Sequence, residues 1–158
     1  MVGLTRIREG DHMKSIFAAT ACFVVIAASA AQAQQVIPAG DQKLVLDKSG
    51  FYSQKILSKR DTGLAMITRR EKSGEAERHA AWNDDIFIQA GEATLILGGT
   101  IQNPREVAQG ETRGSGISGG KNMVVHAGDY VFVPVNTAHR MILSPGKTIR
   151  YAVVKTKP

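Results

Sequence analysis

Gly128-Asp129-Tyr130-Val131-Phe132-Val133-Pro134-Val135-Asn136-Thr137-Ala138-His139 is the stretch whose reading decides the fold. Residues 130–133 are aromatic and β-branched, which suits a pleated, half-buried surface. Gly128 opens the run in a turn. Pro134 closes it, because proline has no N–H to offer a β-ladder. Asn136 follows two residues later, and asparagine tolerates positive φ better than most side chains. His139 then starts a second β-prone run that ends at Leu143. Strand, turn and strand with an imidazole at the second start is the local pattern.

Outward from this stretch the same punctuation repeats. Residues 64–68 are apolar and β-prone and end in the polar turn Arg69-Arg70-Glu71-Lys72-Ser73-Gly74. Ile86-Phe87-Ile88 runs into Ala90-Gly91, and Thr94-Leu95-Ile96-Leu97 follows. Two short runs about a glycine predict a hairpin. Residues 101–120 are polar and glycine-rich and predict a long loop. Residues 123–125 and 149–154 predict two more strands. No stretch after Gly63 keeps a helical period over eleven residues. Many short strands with close turns predict an all-β sandwich or barrel. Before Gly63, residues 34–40 predict an unstructured lead-in. Residues 41–60, broken by Gly50, leave a short helix or an irregular strand open.

The N-terminal fifth reads differently. Met13-Lys14-Ser15 is followed by an uncharged apolar run from Ile16 to Ala31, and then by the small-x-small sequence Ala31-Gln32-Ala33. That is the layout of a secretory signal peptide, with cleavage expected after Ala33 and Met13 as an alternative start. The run is shorter than the roughly 20 residues that span a bilayer. The expected organisation is therefore signal peptide 1–33, lead-in 34–62 and one β-barrel domain 63–158. Cleavage removes Cys22, the single cysteine, and takes the formal net charge from +6 to +5. The expected location is periplasmic or secreted, with no integral membrane segment after cleavage. A cysteine-free chain suits an oxidising compartment.

Residues 128–139 and a second segment upstream resemble the cupin family, small jelly-roll β-barrels. Family members carry one motif shaped G-x5-HxH-x3-4-E-x6-G and another shaped G-x5-PxG-x2-H-x3-N. The second is nearly complete at Gly128, Pro134 and His139, with Asn136 in place of glycine and Leu143 in place of the terminal asparagine. The first is degraded and reads Glu77-x-His79-x4-Asp84-x6-Gly91. A rival register takes Asp85 as the acid and His79 as the first histidine, leaving Ala81 at the second. The former is preferred because each of its positions can ligate. The resemblance implies a single cupin jelly-roll barrel with Glu77, His79, Asp84 and His139 as metal-ligand candidates. Residues 77 and 79 share one face of a strand. Charges converging inside a barrel are costly unless compensated. Two imidazoles with one or two carboxylates suit a divalent Mn, Fe, Zn or Ni ion.

The resemblance implies an exported cupin with a small-molecule ligand or substrate. The chemistry stays open among dioxygenase, isomerase and lyase. A non-catalytic binding or sensing module that has lost its metal chemistry is the alternative. A homodimer is expected by analogy of fold, since sheet edges tend to pair. Trp82, between the ligand candidates, is either packing or a pocket wall, and His126 is expected at the surface. Gly114-Ser115-Gly116-Ile117-Ser118-Gly119 matches GxGxxG formally, but no strand–helix context surrounds it, so a dinucleotide site is rejected. The basic clusters Lys59-Arg60 and Arg69-Arg70-Glu71-Lys72 are short and lack interleaved aromatics, which argues against nucleic acid, and the basic residues spread along the chain predict a solvated surface that favours anionic small molecules or envelope polymers.

Overall fold

The computed structural model describes residues 36–49 and 51–158. The readings made on residues 1–33, with Met13 and Cys22, lie outside these. After one turn of 3-10 helix at Ala39–Asp41, the chain is built of strands. They are β1 (Tyr52–Arg60), β2 (Gly63–Arg70), β3 (Ala76–His79) and β4 (Asn83–Leu97). β5 (Thr100–Gln102), β6 (Arg105–Ala108), β7 (Glu111–Gly114) and β8 (Gly116–Ser118) follow. The last four are β9 (Lys121–His126), β10 (Tyr130–Val133), β11 (His139–Ile142) and β12 (Ile149–Thr156). Among the described residues no helix is long and apolar enough to cross a membrane.

The irregular strand, not the helix, forms in residues 41–60. β1 pairs antiparallel with β2, and its register shifts between Ile56 and Ser58. β1 thus belongs to the same sheet as the predicted barrel strands and extends it upstream of Gly63.

β4 organises the rest. Its first half lies between β12 and β10, and its second half between β9 and β11. Two walls result. One carries β1, β2, β12, the first half of β4 and β10. The other carries β9, the second half of β4, β11, β3, β7 and β6. The hairpin predicted about Ala90-Gly91 is therefore corrected: the chain bends there and does not turn back. The register against β12 slips between Arg150 and Tyr151, so Gln89 has no ladder partner on β12, and Gly91 takes φ 83°. A bulge with a left-handed glycine re-aims a strand without ending it. A glycine next to a β-prone run looks the same in sequence whether it reverses or bends the chain.

The predicted loop over residues 101–120 is also corrected, since it contains β5 to β8. All four residues of β6 are exposed. With both faces wet, no alternation of polarity marks a strand. The GxGxxG stretch falls on β7 and β8. Elsewhere alternation holds. Met66, Ile86, Leu95, Ile149 and Val153 are buried between the walls. Each such side chain contributes roughly 1.5–3 kcal/mol on burial.

Two glycines separate steric from conformational demand. A Cβ on residue 91 would lie 2.0 Å from the Thr148 carbonyl oxygen, whereas one on Gly98, at φ 74°, meets nothing within 4 Å. Gly98→Ala is expected to cost about 1 kcal/mol, the ordinary left-handed penalty. Gly91→Ala adds displacement of backbone and is expected to cost at least about 3 kcal/mol. Urea denaturation of the two variants checks this, and equal losses would contradict it.

Candidate metal centre

Strand pairing brings the polar residues together. In β3, Glu77 and His79 are two apart and face inward. The register places Glu77 between Arg113 of β7 and His139 of β11, and His79 opposite Glu111. Asp84, the second residue of β4, is opposite Lys155 of β12. Two hydrogen bonds tie the turn before His139 to β3 and β4. The Asn136 N–H donates to the His79 carbonyl at 2.8 Å, and the Val135 N–H to Asn83 Oδ1 at 3.0 Å. Asn136 has φ 61°, the conformation that its place in the motif requires.

Glu77, His79 and His139 each offer a ligand atom, and these atoms lie within 4.8 Å of one another. His139 Nε2 is 3.5 Å from Glu77 Oε1 and 3.6 Å from Asp84 Oδ2. His79 Nε2 is 3.4 Å from Asp84 Oδ2. His139 Nδ1 sits 3.1 Å from the Thr137 carbonyl, which orients the ring with Nε2 toward the cluster. Asp84 is buried and its other oxygen is held by Lys155 Nζ at 2.6 Å. Asp85 faces away and accepts a hydrogen bond from the Tyr130 hydroxyl. The geometry therefore brings Asp84, and not Asp85, to the imidazoles. Ala81 and His126 are exposed, and Trp82 lines the cavity.

The cluster sits in a cavity of about 430 Å³ between the walls. Leu64, Met66, Ile86 and Val153 supply its apolar side. Arg113 Nη2 lies 3.2 Å from Glu77, and Arg70 Nη2 lies 4.0 Å from it. Arg70 Nε donates to the Tyr151 hydroxyl at 2.8 Å and stacks 4.6 Å over the Tyr52 ring. Lys155 and Arg113 stand unremarked in the sequence reading, which places Arg70 in a polar turn, whereas Arg70 ends β2 and lines the cavity. Their signal is period-two alternation: Lys155 continues the inward series Tyr151, Val153, and Arg70 continues Met66, Thr68.

The charges interlock. Burial alone would raise the Glu77 carboxyl, yet His139, Arg113 and Arg70 hold it well below the carboxylate range. Burial likewise opposes ionisation of Asp84, but His79 and Lys155 pull it down. For His139, burial favours the neutral ring, and Glu77 and Asp84 outweigh it and raise its pKa. Burial pushes the Tyr151 phenol up to about 12.

No protein-family model and no curated protein matches the sequence. Solved structures match it in shape. The polyketide cyclase RemF from Streptomyces resistomycificus superimposes with a TM-score of 0.56 at 17% identity, over 78% of this chain and 80% of that one. A conserved protein with a double-stranded β-helix domain from Klebsiella pneumoniae gives 0.57 at 13% identity, over 78% and 91%. FeII HppE gives 0.54 at 13% identity, over 77% of this chain and 60% of that one. The chain has the cupin, or double-stranded β-helix, fold, and the resemblance drawn from Gly128, Pro134 and His139 is borne out at that level.

The lowered carboxylates and the raised imidazole fix a stability profile for metal-free protein. Glu77 and Asp84 contribute fully above their ordinary values of 4.5 and 3.8, and that contribution is lost as pH falls through their lower folded values. His139 contributes fully below its ordinary 6.5, and its contribution is lost as pH rises through the raised folded value. The melting temperature in EDTA is expected to be highest between these limits. Glu77→Gln should flatten both flanks. An unchanged profile in that variant would contradict the assignment.

Proposed function

We propose that the cavity is a divalent-metal site at which a small molecule binds or reacts. The observation that supports this reading is the convergence of Glu77, His79 and His139 donors within 4.8 Å in a cavity large enough for a ligand. Two imidazoles and a carboxylate suit Mn, Fe, Zn or Ni. Asp84 is the fourth candidate, offering Oδ2 to the imidazoles while Lys155 holds Oδ1. A bound ion would act as a Lewis acid on a ligand oxygen. The chain's own residues do the rest: Thr137 orients His139, Arg113 and Arg70 orient Glu77, and the apolar wall keeps water from one side of the ligand.

A non-catalytic binding or sensing module is the second reading. The observation favouring it is that Asp84 and Glu77 already pair with Lys155 and Arg113, which lets the barrel be electrically satisfied without an ion. Protein prepared without a histidine tag and loaded separately with Mn, Fe, Zn and Ni, then analysed by mass spectrometry of its metals, separates the two. Stoichiometric metal, lost in His139→Ala and in Glu77→Gln, is expected. Near-zero metal under all loadings, unchanged by His139→Ala, would leave only the second reading.

We further infer export as a periplasmic or secreted protein, on the signal-peptide pattern before Gln34, and a homodimer. The dimer is supported by exposed Phe87, Tyr130 and Phe132 on one face at the edge of a wall, with the Phe87 and Tyr130 rings 5.1 Å apart. Protein recovered from a periplasmic extract is expected to begin at Gln34 by N-terminal sequencing and to sediment as a dimer that Phe87→Ser with Phe132→Ser dissociates. A retained leader or a monomeric parent would contradict the respective inference.

A further inference from the structure

The two walls meet the solvent at a mouth whose charges are not in balance. Across the first wall, Lys59, Leu64, Lys155 and Asp84 stand in one row of paired residues. Arg60 is in the next row, opposite Gly63. Lys59 and Arg60 both line the cavity and both are exposed. Neither side chain has an ion-pair or hydrogen-bond partner among the described residues. Deeper in, Lys155, Arg70 and Arg113 are matched by Asp84, Glu77 and Glu111. Among the lysines, arginines and carboxylates that line the cavity, the inner charges therefore cancel, and the surplus of positive charge lies at Lys59 and Arg60. Trp82 also lines the cavity, with Lys157 Nζ 5.6 Å from its ring centre. Below them the apolar side begins at Leu64 and Met66.

A neutral ligand would leave this pair unused. An anion at the entrance gains from both cations, and the low-dielectric wall beneath strengthens the attraction. We propose that the cavity takes a small organic anion with an apolar body, Lys59 and Arg60 holding its carboxylate or phosphate oxygens beside Trp82. The proposal shares with the reading above only the cavity as the place of binding, and it does not require the metal. Lys59 and Arg60 come from the β1–β2 hairpin and touch none of the metal-ligand candidates, so they act on selection and not on the donor set.

Trp82 is the single tryptophan of the chain, so its fluorescence reports the mouth directly. Metal-free protein in EDTA is titrated with benzoate, phenyl phosphate and the neutral benzamide. Saturable change with benzoate or phenyl phosphate is expected, with benzamide weaker by about tenfold or more. Which anion binds more tightly assigns carboxylate or phosphate. Lys59→Gln with Arg60→Gln should remove that preference while leaving the melting temperature unchanged. Added sodium chloride should weaken the anions and not benzamide. Equal binding of all three probes, no saturable binding, or an anion preference that survives the double substitution would overturn the proposal. Anion binding without metal uptake would instead count against the metal reading alone, and metal uptake without anion preference would count against this proposal alone.

Discussion

Residue 91 has no side chain, and much of the molecule depends on that. The Thr148 carbonyl oxygen occupies the place where a Cβ would be. This close approach lets β4 bend between two walls as a single strand. Asp84 near its start and Leu95 near its end thereby face the same cavity. A true turn at residue 91 would have stacked the two halves against each other, and Asp84 would not have met His139.

The cavity's polar lining follows from pairing register more than from chance proximity. Glu77 has a cation on one neighbouring strand and an imidazole on the other, and Asp84 has Lys155 beside it. Taking such charges out of water costs several kcal/mol per ion unless partners stand ready. Here the partners come with the ladders themselves. The histidines lie between two carboxylates that are each backed by cations, which gives a set that can hold a proton or exchange it for a cation. Outside this balanced interior, the two cations of the first hairpin are left to the solvent.

The sequence was legible where one face of a strand is dry. Tyr130 to Val133, His139 onward and Ile149 onward alternate, and they are strands within a residue or two of the reading. Glu77 and His79 share a face because the spacing of two demands it, and Asn136 takes positive φ as its substitution for glycine implies. Legibility failed where both faces are wet, as at Arg105 to Ala108, since no hydrophobic period exists there to read. It failed again at Gly91, because bend and reversal use the same residue. The cations behind the carboxylates were missed for a third reason. Lys155 and Arg113 acquire meaning only through partners on strands far away in the chain, and one sequence does not state register.

The place of β12 has a consequence for how this molecule comes into being. It is the last strand in chain order, yet it lies between β2 and β4, paired with both along its whole length. The first wall therefore remains two separate ribbons until Ile149–Thr156 has been synthesised and has threaded into the gap. Loop closure over most of the domain must precede the contacts that reward it, which is the condition for slow folding. Until then β2 and β4 each present an open, apolar-flanked edge, and Asp84 has no ammonium beside it. Synthesis of β2 and β4 is thus separated in time from final closure, and the interval is when this chain is most exposed to pairing with the wrong strand.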